Sequence, residues 1–281
     1  MTGMATYPLP DIDLAGRVVL MTGGDRGLGL SMAMAQAKCG ASVVLASVDG
    51  EGCERAAQEI EDAVGAGRAL AVTLDITDLE ACRAAVAATV EKFGRLDAVF
   101  NNARRLMRGG TLPATGNSLP IYETDPEIYS ETIMVNVVGT FFMSRAAAEY
   151  FRETGGGKIV NVSTSRRNFS RPRNSPYGVS KAAVEAETII WAGDLADDNV
   201  TVNTLLPGAA VDADPLREKK EGQVLLPVDI MDPLAVWLAS AGSDGATARR
   251  YVGKLWNPEL PPDEAADGAR EEPTFIEQLP G

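Results

Sequence analysis

Short apolar runs alternate with stretches of helical spacing along most of this chain. The apolar runs, which predict strands, cover residues 18–21, 41–46, 69–74, 98–100, 158–162 and 201–205. The helical stretches cover residues 27–40, 52–64, 79–93 and 176–196, and a further long helix ends near Phe151. Strands that are apolar at every position are buried on both faces, as in a parallel sheet covered by helices. The alternation therefore predicts an α/β fold, with a doubly wound parallel sheet and helices on both faces.

Charge and composition exclude several classes of function. The net charge of −13 opposes binding to nucleic acid, which requires a basic surface. The chain contains no histidine, so a Ser-His-Asp triad and a histidine-ligated metal are both excluded, and no metal site is predicted. Its three cysteines are widely spaced and fit reduced, packed thiols. With no signal-like start and no apolar run of about 20 residues, we expect a cytoplasmic protein without a membrane partner.

A glycine-rich turn directly follows the first predicted strand. It reads Thr22-Gly23-Gly24-Asp25-Arg26-Gly27-Leu28-Gly29 and leads into a predicted helix. Its glycines remove side chains that would block the tight turn, the approach of a pyrophosphate and the contact between helix and strand. Free amides at the start of the helix can then bind phosphates. The predicted sheet is therefore of the Rossmann type, and the residues predicted to bind a dinucleotide here are Gly23, Asp25, Arg26, Gly27, Leu28 and Gly29.

A second motif places Tyr177 and Lys181 four positions apart on a predicted helix. Positions i and i+4 share one helix face, so the phenol and the ammonium can lie over the same site. A phenol ordinarily ionises near pH 10, and a fixed positive charge nearby stabilises its phenolate. The pair therefore predicts proton transfer at a carbonyl or alcohol oxygen.

These motifs, together with Asn101-Asn102-Ala103 and Val135-Asn136-Val137, resemble the short-chain dehydrogenase/reductase family from about Val18 to Gly253. The resemblance implies that Thr164 polarises the reacting oxygen, with Ser163 and Ser165 as flanking alternatives. It also implies that Asn136 holds a water that relays protons to Lys181, which grips the nicotinamide ribose. Further cofactor contacts implied by the resemblance are Asp75 and Ile76 at the adenine, Asn101 and Ala103 in the cleft, and Pro207, Gly208 and Ala210 at the nicotinamide.

The choice of dinucleotide depends on the end of the second strand. Ser47 stands where members that prefer NAD usually carry an acid, and Arg26 could pair with a 2′-phosphate. Val48 replaces an arginine that many NADP-preferring members use, and Asp49 adds negative charge. We predict NADP as the cofactor, with NAD as the alternative.

Arginines occupy two loops beside the predicted site, and the first of them replaces a glycine common in the family. They are Arg104, Arg105 and Arg108 in one loop, and Arg166, Arg167, Arg171 and Arg173 in the other. One interpretation is that they attract an anionic substrate or the cofactor phosphate. The alternative is that they pair with surplus acidic residues at the surface or between subunits.

The predicted function is hydride transfer between NAD(P) and a small-molecule carbonyl or alcohol substrate. Alternatives are a catalytically weak, dinucleotide-binding member of the same fold, and a lyase or epimerase. Residues 16–257 are predicted to form the dinucleotide-binding catalytic domain, after an N-terminal extension (1–15) and before an acidic, proline-rich tail (258–281) that is mobile or lies over a neighbour. Irregular segments 104–126 and 207–227 follow strands and are expected to contact substrate. By resemblance, helix 176–196 packs against a second subunit in a homodimer or homotetramer.

Overall fold

The computed structural model describes residues 7–105, 119–213 and 224–275. In that part of the chain, eight strands form one sheet in the order β3-β2-β1-β4-β5-β6-β7-β8. Strands β1 to β7 are parallel, and β8 runs antiparallel to β7. The strands are β1 (Val18–Thr22), β2 (Ser42–Ser47), β3 (Ala69–Thr73), β4 (Ala98–Asn101), β5 (Gly157–Val162), β6 (Val200–Leu206), β7 (Arg250–Val252) and β8 (Arg270–Glu271).

Helices follow nearly every strand. They are α1 (Gly27–Lys38), α2 (Gly50–Val64), α3 (Leu79–Phe93), α4 (Pro126–Ile133), α5 (Thr140–Thr154), α6 (Arg166–Phe169), α7 (Tyr177–Asp194), α8 (Asp232–Ala239) and α9 (Pro262–Gly268). Asp49 and Asp78 cap α2 and α3 by accepting backbone N–H bonds, and glycines in the left-handed conformation end α3 and α5. No helix in the described ranges is long and apolar enough to cross a bilayer.

Alternate residues of the central strands face opposite sides of the sheet. Val19 and Met21 of β1 lie in a core with α1, α2, α8 and α9. Leu20, between them, lies in a second core with α3 and α5. Burying each such side chain contributes roughly 1.5–3 kcal/mol, so both helical layers are held by the same strands. The predicted doubly wound Rossmann-type sheet is confirmed.

The long helix predicted to end near Phe151 is divided into three parts. Between α4 and α5, residues Met134–Gly139 form a π-helical turn, and α5 continues to Thr154. Gly139 lies against Ile76, and a Cβ at that position would be 2.7 Å from the Ile76 side chain. The wider turn brings Asn136 inward, where it is fully buried.

The region predicted to be an acidic tail contains regular structure within its described residues, 258–275. Helix α9 buries Ala265 and Ala266, and β8 extends the sheet beyond β7. Ala265, Ala266 and Ala269 of this segment pack on the chain's own core. The boundary proposed at residue 257 and the mobility of the tail stay predictions.

Candidate active site

Most of the predicted site residues lie at or just beyond the carboxyl ends of six strands, which the parallel sheet brings to one edge. Asn136 lies in the π-helical turn, and Tyr177 and Lys181 lie in α7. Ser47 ends β2, Asn101 ends β4 and Thr164 lies just past β5. The glycine-rich turn follows β1, Asp75 and Ile76 follow β3, and Pro207, Gly208 and Ala210 follow β6. Ligands of open α/β sheets bind at this edge.

The glycine-rich turn allows α1 to approach β1 closely. Gly23 and Gly27 have positive φ values of 62° and 57°, a conformation that favours glycine. A Cβ on Gly29 would lie 2.1 Å from the Gly23 carbonyl oxygen and 2.6 Å from Nδ2 of Asn102. No other residue type fits at Gly29 unless the turn moves.

Among the described residues, no side chain caps the amino end of α1, and its first turn contains no acidic residue. Helices α2, α3 and α4 differ, since an aspartate caps each of them. The first amides of α1 therefore keep their partial positive charge, and a phosphate fits there. The bare turn and the uncapped helix suit the dinucleotide that the sequence predicts.

Asn102 fixes the turn from the neighbouring strand end, a role that the sequence analysis missed. Its Nδ2 donates to the carbonyl oxygens of Thr22 and Gly23 at 3.0 and 2.9 Å. The backbone amides of Asn102 and Ala103 donate to Oγ1 of Thr22. Only its place in the Asn-Asn-Ala motif could have signalled this role.

Four residues, Arg26, Ser47, Val48 and Asp49, are those on which the predicted choice between NADP and NAD depends. Oγ of Ser47 accepts the N–H of Asp49, so its own hydrogen remains available to donate. The Asp49 carboxylate accepts the N–H of Gly52 and lies 3.8 Å from Arg55. Arg26 is 84% exposed, and its Nε lies 3.6 Å from the buried Asp25 carboxylate. Val48 is exposed.

The remaining predicted cofactor residues differ in their surroundings. Asp75 is exposed, with Oδ1 accepting from Thr77, whereas Ile76 is buried in the core. Asn101 is buried and donates to Ser144 and Asn161. Gly208 has a φ of 94°, and the carbonyl oxygens of Pro207 and Ala210 accept the N–H groups of Lys254 and Leu226.

Lys181 is 2% exposed, and its Nζ donates to the carbonyl oxygen of Val162 at 2.7 Å. This bond fixes α7 against the carboxyl end of β5. Burial, and to a smaller extent the nearby positive charge of Arg104, lower the pKa of Lys181 to about 7, while Glu185 opposes the shift. The ammonium therefore loses its proton far more readily than an exposed lysine does.

Asn136 joins the π-helical turn to two other parts of the site. Its Oδ1 accepts the Arg105 N–H at 2.7 Å, and its Nδ2 donates to Oγ of Ser180 at 3.0 Å. Ser180 directly precedes Lys181 and donates to the Tyr177 carbonyl oxygen. Asn136 and the Tyr177–Lys181 turn of α7 are thus brought together. The water relay assigned to Asn136 stays a prediction.

The three candidate hydroxyls after β5 differ in their bonding. Oγ1 of Thr164 accepts from Nδ2 of Asn168 at 2.7 Å. Oγ of Ser163 is buried and has no partner among the described residues. Ser165 is half-buried and precedes α6 without capping it. Thr164 therefore has a fixed hydroxyl oxygen whose own hydrogen is free to donate.

The arginine-rich loops are only partly neutralised. Arg105 pairs with Glu131, Arg171 donates to Asn174, and Arg166 contacts the C-terminal segment. No ion pair within the described ranges includes Arg104, Arg167 or Arg173, all of which are exposed. Arg108 lies outside the described residues.

Comparisons with known proteins bear on the family of this chain. A family model for short chain dehydrogenase matches residues 17–223. The chain is 32% identical to fluoren-9-ol dehydrogenase of Terrabacter sp. (strain DBF63), covering 89% of this chain and 78% of that protein. It is 31% identical to 2-dehydro-3-deoxy-D-gluconate 5-dehydrogenase of Escherichia coli (strain K12), covering 84% and 93% respectively.

One solved structure is similar to this chain in both fold and sequence. The 3-ketoacyl-(acyl-carrier-protein) reductase from Brucella melitensis, complexed with NADH, superposes with a TM-score of 0.73 at 32% identity. The match covers 85% of this chain and 96% of that chain. The extent of these matches, with the dinucleotide turn and the strand-edge site, shows that the chain belongs to the short-chain dehydrogenases, a family of NAD(P)-dependent oxidoreductases.

Proposed function

We propose that this protein transfers a hydride between NADP and a carbonyl or secondary alcohol substrate, with Tyr177 exchanging the proton. The proposal is carried by the buried Lys181, which is bonded to the end of β5 one helical turn from Tyr177. An ammonium held there favours the phenolate form of a neighbouring tyrosine. This arrangement supports general acid and base catalysis at the substrate oxygen.

When bound, the nicotinamide supplies or accepts the hydride at the substrate carbon. In the reducing direction, the Tyr177 hydroxyl gives its proton to the carbonyl oxygen, and Lys181 stabilises the phenolate that remains. Thr164 donates a hydrogen bond to the same oxygen, since its Oγ1 already accepts from Asn168. Ser165 is the alternative donor. In the oxidising direction, Tyr177 takes the proton from the alcohol.

The preference for NADP is supported by the end of β2. Ser47 places a neutral hydroxyl where a carboxylate would repel a 2′-phosphate, and the nearby Asp49 carboxylate is engaged at the start of α2. Arg26 is exposed and can swing from Asp25 to a phosphate. Initial rates with NADPH and NADH at equal concentration test this, and a higher kcat/KM with NADH would reverse the assignment.

Turnover with a panel of ketones and secondary alcohols tests the reaction itself. We expect Tyr177→Phe to lower kcat by about 10²–10⁴-fold, because it removes the transferable proton and little else. Nucleotide affinity, measured by fluorescence titration, should stay within about twofold. Nucleotide binding without turnover in the wild-type protein would favour the catalytically weak alternative. Full activity of Tyr177→Phe would remove tyrosine from the mechanism.

We further propose that the substrate is anionic. Arg104 lies three residues beyond β4, where the family commonly has glycine. It is exposed and has no ion-pair partner among the described residues. Its backbone is fixed on both sides, since the Ala103 and Arg105 amides donate to Thr22 and Asn136. The two relatives above are named for an uncharged alcohol and for a gluconate, which is a carboxylate. A cation beside the site would favour the second class.

A further inference from the structure

Arg250 of β7 is the largest side chain that is fully buried in the described part of the chain. Its Nε donates to both carboxylate oxygens of Glu185, at 3.0 and 3.1 Å. One terminal nitrogen donates to the Thr164 carbonyl oxygen at 2.7 Å, and the other donates to the Glu271 carboxylate. Because a buried guanidinium is costly unless it is fully paired, these four bonds hold its position closely.

The partners of Arg250 belong to the site and to the end of the sheet. Thr164 carries the hydroxyl assigned to the reacting oxygen, and Glu185 lies one turn beyond Lys181 on α7. Glu271 belongs to β8, which pairs with β7. The Arg250 guanidinium therefore connects the loop after β5, helix α7 and strand β8.

The C-terminal segment makes two more contacts with the same parts of the site. Arg166, at the start of α6, donates to the Glu272 carbonyl oxygen and lies 4.0 Å from the Glu271 carboxylate. Oγ1 of Thr274 donates to Glu185 at 2.7 Å. Residues 271–274 thus contact both ends of the Thr164–Arg166 segment, directly or through Arg250, and also contact α7.

We propose that Arg250 is a positioning residue and that Glu271 of β8 holds its guanidinium in place. The guanidinium fixes the peptide after Thr164 relative to α7, and so sets the distance between the Thr164 hydroxyl and the Tyr177–Lys181 pair. Neutralising Glu271 leaves Glu185 as the only carboxylate that pairs with Arg250 in the described structure. The guanidinium can then rotate away from the Thr164 carbonyl oxygen. Since a misplacement of about 1 Å can cost on the order of 10²-fold in rate, this affects turnover. The proposal rests on the proposed function for its kinetic consequence.

The test compares Glu271→Gln with Asp244→Asn. Both changes neutralise a carboxylate that pairs with a buried cation, and the side chains of Glu271 and Asp244 are 36% and 64% exposed. Asp244 is bonded to Lys158 at the amino end of β5, away from the site. We expect Glu271→Gln to lower kcat about tenfold, with the nucleotide KM within about twofold. Asp244→Asn should keep wild-type kcat at a similar loss of Tm. Equal kcat in the two variants would overturn the proposal.

Hydrogen exchange separates this proposal from the oxidoreductase assignment. The Asn168 amide donates to the Ser165 carbonyl at 2.8 Å and reports on the loop after β5 without any substrate. We expect it to exchange about tenfold faster in Glu271→Gln than in Asp244→Asn. Equal exchange would overturn the positioning role. A wild-type protein without turnover would overturn the proposed reaction and leave the exchange result decisive for Arg250.

Discussion

Single residues at the sheet edge carry charges that their surroundings oppose, and Lys181 is the clearest case. Its buried Nζ has one hydrogen-bond acceptor, the Val162 carbonyl oxygen, in the described structure. Burial first, and then the charge of Arg104, lower its pKa to about 7. The ammonium that the proposed mechanism requires is therefore held at a cost to folding.

This cost makes stability depend on pH. In the unfolded chain Lys181 keeps its proton up to its ordinary pKa of 10.5, whereas the folded chain releases it near pH 7. Between these values the unfolded state binds more protons, so the lysine's contribution to stability rises with pH. We expect Lys181→Met to raise the free energy of unfolding above that of the wild type. This difference should be about 2 kcal/mol smaller at pH 9 than at pH 7. Urea unfolding measures this.

The exposed Lys92 of α3 provides the control. Lys92→Met should change the free energy of unfolding by the same small amount at both pH values, since its charge is solvated in both states. A Lys181→Met difference that does not vary with pH would contradict a lowered lysine pKa.

Arg104 and its neighbour Arg105 allow a matched test of the anionic substrate. Arg105 is paired with Glu131, and Arg104 has no such partner in the described ranges. We expect Arg104→Gln to lower kcat/KM for a keto acid about tenfold relative to its methyl ester, because the carboxylate loses a cation. Arg105→Gln should leave that ratio unchanged. The substrate proposal fails if both variants show the wild-type ratio.

At the scale of elements, the close approach of α1 to β1 determines the conformation of the glycine-rich turn between them. A Cβ on Gly29 would overlap the Gly23 carbonyl oxygen. We expect Gly29→Ala to raise the nucleotide Kd at least tenfold and to destabilise the fold by about 1–3 kcal/mol, because the turn must open. Calorimetric titration and thermal unfolding measure both effects.

Gly193, near the end of α7, is the matched control for this change. A Cβ there would meet no atom within 4 Å, so Gly193→Ala should be neutral or stabilise by up to about 1 kcal/mol. Normal nucleotide affinity in Gly29→Ala would show that the close approach is not required.

For the whole molecule, we propose association through the outer face of α5 and α7. Val179 and Ile190 are 45% and 58% exposed, and their spacing of eleven residues puts them on one face of α7. Beside Ile190, the rings of Trp191 and Phe141 lie 6.2 Å apart. An exposed apolar surface of this kind is typical of a subunit interface.

Ile190→Asp should therefore shift the protein from a dimer or tetramer towards the monomer, because a buried, unpaired carboxylate is costly. Light scattering after gel filtration measures the mass. Leu260→Asp is the control, since Leu260 is 40% exposed and lies beside α9, on the opposite side of the sheet. A wild-type monomer at micromolar concentration would rule out the interface.

Much of this molecule follows from its sequence because the relevant signals are local. Apolar runs of strand length specify the parallel strands. The tight turn from Gly23 to Gly29 requires glycines whatever the fold of the rest of the chain. The four-residue spacing of Tyr177 and Lys181 similarly fixes their shared helix face. Elements and motifs of this kind could be predicted before any contact was known.

Only the tertiary structure decided the contacts between distant segments. The division of the long helix at the π-helical turn depends on Asn136 meeting Arg105 and Ser180, which no local pattern shows. No local pattern marks Arg250 as buried, and its burial depends on Glu185 and Glu271, which converge on it from α7 and β8. The sequence determines where strands and turns can form, whereas burial and charge pairing, which depend on the whole fold, determine what each polar residue does.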